Sequence, residues 1–273
     1  MRPRRSILPG FAPTLSASIA WLGVLILLPL ALMIHVALGL GWRGFWTIVM
    51  QPRVLGDLRV SVESALLAAA VDTVFGVIIA WVLVRYSFPL RRVVDGLIDL
   101  PFALPTAIAG IALSALYAPR GWIGRTLAPL GVHVAYTRWG IVVALIFVGL
   151  PFVVRAVEPA IEELEVEQEE AADLLGAAAV QSFRHVILPA LVPAIMTGFA
   201  MALARALGEY GSVIFIAGNK PMVSEIVPLL IVTELEQFNF EGATAIATLM
   251  LAVSFALLLL VNLLRGRLVR SDV

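Results

Sequence analysis

The chain has 273 residues, 61% of them hydrophobic and 14% charged, with a formal net charge of zero and no cysteine; its mean hydropathy is +1.00. Apolar runs of this length exclude an ordinary water-soluble domain, and the missing cysteine excludes disulfides, thiol catalysis and cysteine metal sites. A balanced, sparse charge offers no basic surface for nucleic acid.

About 20 consecutive apolar residues span a bilayer as a helix. Six segments approach that standard: 19–40, 62–84, 97–118, 140–157, 191–217 and 243–264. The predicted fold is therefore all-α, a polytopic membrane protein with six transmembrane helices. The strands of a membrane barrel would instead alternate apolar and polar residues. Arg2, Arg4 and Arg5 imitate the head of a signal peptide. The apolar stretch behind them exceeds the roughly 7–15 residues of a cleavable signal, so it is expected to stay as a membrane helix. Residues 1–61 then form an N-terminal region with the first helix and an outer loop, 62–264 the core, and 265–273 a tail.

The second segment contains Asp72. A carboxylate at mid-membrane costs about 2.5–3.5 kcal/mol on insertion scales, so it is expected to face the bundle interior, against a donor on another helix or against Arg205. Where the third segment begins stand Pro101 and Pro105, then Thr106 and Gly110. In the fifth, Arg205 and Glu209 are spaced to pair on one helix face, and Gly208 and Gly211 bracket Glu209 and Tyr210, with Ser212 following. Helices broken near the midplane can aim backbone N–H groups at an anion. The competing readings are an ion pair that orients the helix and ordinary packing through small residues. These eleven residues are the candidates for a translocation path.

Between the fourth and fifth segments lies a charged loop, 158–190. It holds eight of the 19 acidic residues: Glu158, Glu162, Glu163, Glu165, Glu167, Glu169, Glu170 and Asp173. Ile161, Leu164, Ala171, Ala172 and Leu175 fall near one helical stripe. Gly176 is a natural helix stop, and a second short helix over 177–187 is predicted to end before Pro189. A merely solvated helix needs neither the stripe nor the break. Lysine and arginine set orientation, and they crowd the short loops on the side of both termini, which places 158–190 and the termini in the cytoplasm. Outer loops 118–138 and 218–242 are long enough to receive a partner; Lys220 is read as solvated. His35, His133 and His185 are scattered, which offers no catalytic or metal constellation. No G-x-x-x-x-G-K-[ST] phosphate loop is present, so the chain carries no motor of its own.

Glu170-Ala171-Ala172, Gly176 and Val186-Ile187-Leu188-Pro189 resemble the EAA loop of ABC-importer permeases, E-A-A-x3-G-x9-I-x-L-P, with Val186 in the isoleucine place. The resemblance implies a type I importer permease fold in which this loop is a coupling helix seated on a separate ATPase subunit. The runs "DLPFALPTAIAGIALSALYAPRGWIG", "FVGLPFVVR" and "ALARALGEYGSVIFIAGN" are similar to the T-type permease of bacterial sulfate/thiosulfate importers. That implies a W-type sister permease, an ATPase dimer carrying ATP and Mg, a periplasmic sulfate-binding protein, and the bacterial inner membrane. Neither cofactor nor catalytic residue is expected on this chain. A molybdate or other oxyanion permease is the alternative within the class. An ion-coupled secondary transporter relaying through Asp72, Arg205 and Glu209 is the alternative outside it.

Overall fold

The computed structural model describes residues 11–164, 170–172 and 174–270. Arg2, Arg4 and Arg5 of the orientation argument, and Glu165, Glu167, Glu169 and Asp173 of the acidic loop, lie outside the described residues. Among the described residues every regular element is a helix. In chain order these are α1 (Phe11–Leu22), a π turn (Gly23–Leu27), α2 (Leu28–Gly39), α3 (Gly41–Val49), α4 (Pro52–Arg85), α5 (Arg91–Ile98), α6 (Leu100–Ala103), α7 (Thr106–Tyr117) and α8 (Trp122–Leu127). After a 3-10 turn come α9 (Arg138–Glu162), α10 (Ala179–Ser182), a second π turn (Phe183–Ile187), α11 (Leu188–Leu207), α12 (Val213–Ile216), α13 (Val227–Glu236) and α14 (Phe240–Arg270).

The core is the mutual packing of α4, α9 and α11. Helices in lipid gain little from expelling water, so they adhere where small residues let backbones approach. On α4 the residues Ala65, Ala68, Ala69, Asp72, Gly76 and Ala80 are buried together. A Cβ on Gly76 would stand 2.7 Å from Val153 Cγ1, and one on Gly198 3.0 Å from Val153 Cα. Larger side chains there would drive α4 and α11 away from α9. Outside this core, α14 packs on α11 and α13, and α2 leans on α14 and α3.

Among the described residues, five helices are long and apolar enough to cross a membrane: Pro13–Gly39, Pro52–Arg85, Arg138–Glu162, Ala179–Leu207 and Phe240–Arg267. The predicted third helix, 97–118, is not one of them. It is divided into α5, α6 and α7, with Leu104 and Pro105 extended between the last two. Pro105 has no N–H to continue a helix, and its ring pushes Leu104 out of the α region. The broken segment still runs the length of the bundle. Its start is tied to Arg155 near the last turns of α9, while Ser114 Oγ lies 3.3 Å from the Tyr136 hydroxyl, just before α9 begins.

A second departure concerns 177–187, which does not end before Pro189. α10 passes through the π turn into α11 as one continuous helix. The Leu188 N–H donates to the Phe183 carbonyl, five residues back. That wider turn makes room for Pro189, whose ring would otherwise meet the His185 carbonyl. The predicted fifth segment, 191–217, is helical to Leu207; 208–212 unwind before the short α12.

Candidate docking and translocation sites

At one end of the bundle, Glu170, Ala171, Leu174 and Leu175 are exposed, the two leucines at 88% and 89%. Gly176 follows with φ +80°. The Ala177 N–H donates to the Ala172 carbonyl at 3.1 Å, the six-to-one bond that closes a helix on a left-handed residue. Beyond the turn, Gln181 Oε1 accepts from the Ala178 N–H at 2.9 Å, so the next helix starts with its first donor satisfied. A cleft of about 310 Å³ lies in the bend, lined by Ala172, Leu175, Gly176, Gln181, His185 and Val186 among others. Leu188 and Pro189 stand at the start of α11, inside the continuous helix. The turn therefore holds its own backbone while leaving its bulky apolar side chains uncovered.

The two breaks in the bundle meet each other. A Cβ on Gly110 would lie 2.2 Å from the Ser212 carbonyl oxygen, and one on Gly211 2.2 Å from Thr106 Oγ1. Gly110 is required because the Ser212 backbone crosses directly over it, and Gly211 because the Thr106 side chain packs on it. Thr106, Gly110, Gly211 and Ser212 are thus brought together, with Pro105 at the N-cap of α7 and Pro101 at the start of α6. Glu209 is 2% exposed. Its Oε2 lies 2.5 Å from Arg205 Nη2, and its Oε1 accepts from both the N–H and the hydroxyl of Ser212 at 2.9 Å. One carboxylate thereby neutralises an arginine and caps the unwound stretch before α12. Gly208 is exposed and Tyr210 half-buried.

Asp72 faces the bundle interior as expected, but without the expected donor. It is 1% exposed and its Oδ1 has no hydrogen-bond partner. Its other oxygen abuts Gly149 on α9, where a Cβ would come within 2.1 Å. Arg205 is satisfied by Glu209 on its own chain segment, so the expected pairing with Asp72 does not form.

Two fastenings were missed in the sequence. Arg155 binds Asp99 through Nε at 2.9 Å and Nη2 at 2.6 Å, Asp95 at 2.7 Å and Glu158 at 2.6 Å, which ties α5 to α9. At the opposite end of the bundle, Arg53 grips Glu225 through two N–H bonds of 2.9 and 2.8 Å. Asp57 Oδ1 accepts from the Met222 N–H at 2.7 Å, and Ser61 Oγ from the Val227 N–H at 2.8 Å. Burial pushes the Glu225 carboxyl up, but hydrogen bonds from Arg53 and Asp57, with the Arg53 charge, together hold the group below its ordinary value. The available signal was Arg53 and Asp57 spaced one turn apart, and Asp95 and Asp99 likewise.

Among solved structures, a bacterial ABC transporter that imports the acidic polysaccharide alginate matches with a TM-score of 0.77, covering 94% of each chain at 18% identity. The same system in complex with an alginate-bound periplasmic protein matches equally, at 19% identity. At these identities the likeness shows the fold. Sequence relatives are closer. A sulfate transport system permease protein, CysT, of Salmonella typhimurium is 44% identical over 263 residues, 96% of this chain and 95% of the relative. The Synechocystis protein of the same name is 45% identical over 257 residues, covering 93% and 90%, and one described as probable from Nephroselmis olivacea is 49% identical over 218 residues, covering 80% and 77%. The family model for the inner membrane component of binding-protein-dependent transport systems matches residues 72–271. With that match, and with relatives aligned over nearly its whole length, the chain belongs to the family of ABC-importer permeases.

Proposed function

We propose that this chain is the T-type permease of an ATP-driven sulfate/thiosulfate importer in a bacterial inner membrane, working beside a W-type sister permease. In this reading the 158–190 end faces the cytoplasm with both termini, and the Gly218 end faces a periplasmic binding protein. Glu170 to Pro189 forms the coupling element on a separate ATPase dimer, which carries ATP and Mg. The observation that carries the reading is the pair of exposed leucines beside a self-contained turn, on a chain whose relatives are named sulfate permeases. Exposed leucines on a charged loop away from lipid call for a protein partner.

For the anion, the crossing of the two broken segments supports a path that uses backbone dipoles. A dianion passing this crossing would meet the Thr106 hydroxyl and main-chain dipoles, the Ser212 donors being held by Glu209, without a trap of bare charge to escape. Arg205, paired with Glu209, would draw the anion without holding it.

Copurification of the tagged chain with the ATPase and sister permease, and uptake of radiolabelled sulfate by the reconstituted complex, test this directly. Single cysteines at the exposed Val180 and Val223 report orientation in intact cells, because the chain has no native cysteine. An impermeant thiol reagent should label position 223 and spare 180; the opposite pattern inverts the proposed topology.

A further inference from the structure

A cavity of about 300 Å³ opens on the bundle flank between α4 and α9, lined by Glu63, Ser64, Leu67, Arg138, Trp139 and Val142. None of these residues belongs to the docking turn or to the crossing of the broken segments. Two arginines converge on one carboxylate at its edge. Arg59 Nε donates to Glu63 Oε1 at 2.6 Å, and Arg138 Nη2 donates to Glu63 Oε2. The group carries a net single positive charge, and each guanidinium has five N–H donors of which Glu63 takes one. Beside it, Ser64 is 1% exposed and its Oγ has no hydrogen-bond partner. A hydroxyl in that position has lost its water and gained nothing in exchange. Trp139 is exposed at the same level, where indoles favour the membrane–water boundary.

We propose that this cavity binds a tetrahedral oxyanion, either free in the aqueous phase or carried on a phospholipid headgroup. Guanidinium forks match the oxygen spacing of such an anion. Arg138 supplies the principal donors, Arg59 adds charge, and the Ser64 hydroxyl gives the third bond. Glu63 opposes the anion and keeps the site weak. Along α4 below the cavity, Leu67, Val74, Ile78 and Val82 are exposed on one face, an apolar track on which an acyl chain can lie. A free sulfate bound here would be an encounter site outside the path, and that arm alone rests on the oxyanion-importer reading.

The test uses the full chain in phosphatidylcholine nanodiscs. Calorimetric titration with sulfate reads the free anion. Native mass spectrometry of the chain exchanged into mixed phosphatidylglycerol and phosphatidylcholine reads the headgroup. At least one arm should show saturable binding in the native chain. Arg138→Gln should weaken that binding about tenfold, and Ser64→Ala about fivefold, the usual worth of a charged and a neutral hydrogen bond. Glu63→Gln should strengthen it about two- to fivefold by removing a partly exposed opposing charge. A gain in affinity cannot come from misfolding. Saturable sulfate binding that follows the three variants identifies the free anion, and phosphatidylglycerol retention that follows them identifies the lipid. Absence of binding in both arms, or binding indifferent to all three substitutions, overturns the proposal. Sulfate uptake by the native complex is scored separately, so loss of the import reading and loss of this site give different results.

Discussion

The two ends of this molecule treat their loops in opposite ways. At the Gly218 end, the stretch before α13 is held by its own chain: Arg53 grips Glu225, Asp57 takes the Met222 N–H, and Ser61 takes that of Val227. Gly56 even lies so close that a Cβ would meet Met222 Cγ at 2.7 Å. At the 158–190 end the turn satisfies its backbone locally and leaves Leu174, Leu175 and Val180 uncovered. A loop fastened through its side chains is part of the fold. A loop that closes only its backbone and keeps its apolar side chains outward is shaped for something else to cover.

If the comparison holds, breaking the fastened end should cost the most stability. Breaking a buried ion pair costs about 3–5 kcal/mol; Arg53 is 39% exposed on its side chain, so Arg53→Ala should cost about 2–3 kcal/mol after discounting for solvent. Thermal unfolding of the solubilised chain measures it, and an unchanged midpoint would show that the fastening contributes nothing. Gly176→Leu should cost less, about 1–2 kcal/mol for a left-handed side chain, and most of that is relieved by local opening of the turn. Its effect should fall on association: captured ATPase drops while the midpoint barely moves. Retained capture and retained uptake would remove the docking assignment.

The middle of the molecule is sharpened by a cycle of Arg205→Gln, Glu209→Gln and the double variant, with a coupling of about 0.5–1 kcal/mol expected for a contacting pair. Complex assembly should recover in the double variant. Sulfate uptake should stay low if Arg205 draws the anion; full recovery would leave the pair as architecture.

A smaller effect is the response to acid. The Glu225 carboxyl is held below its ordinary value in the folded chain. Its contribution is therefore complete above the usual glutamate range near about 4.3 and is lost as pH falls through the lower, folded value. In Arg53→Ala the hydrogen bond from Asp57 still lowers the group against burial, so this acid sensitivity should shrink. Unfolding midpoints across this pH range decide it. Smallest of all, Leu174→Ser with Leu175→Ser should change stability by no more than about 0.5 kcal/mol, as exposed positions do, yet reduce capture of the ATPase.

Much of this was legible in the sequence where the cause is local. Long apolar runs announced the continuous helices, and Gly176 announced its turn because a left-handed helix end asks for glycine. Pro101 and Pro105 were visible, but a proline opens a helix as readily as it breaks one. The division of 97–118 turns on Pro105 breaking a helix rather than opening one, with its ring holding Leu104 extended. The π turn before Pro189 was hidden for the same reason. Arg53 and Glu225 stand 172 residues apart, and Asp57 and Met222 165 apart. No periodicity joins such partners. The meeting of Gly110 with Ser212 is likewise a fact of topology: each glycine was noticed, but not that one requires the other.

The unbroken course of Ala179–Leu207 has a mechanical consequence. Its 29 residues at 1.5 Å each make a push-rod of about 43 Å. One tip begins just beyond the Gly176 turn and the other stops at the Gly208 unwinding, so the rod is jointed at both ends. A tilt of about 5° imposed at one tip moves the other by about 4 Å over that length, roughly the width of a backbone crossing. Threonine and serine at the far joint would part or close over such a stroke. Lengthening the lever by one residue would also turn its far tip by about 100°, so an alanine inserted between Leu191 and Val192 should uncouple the two joints by turning Ala202, Leu203 and Ala206 off their packing face.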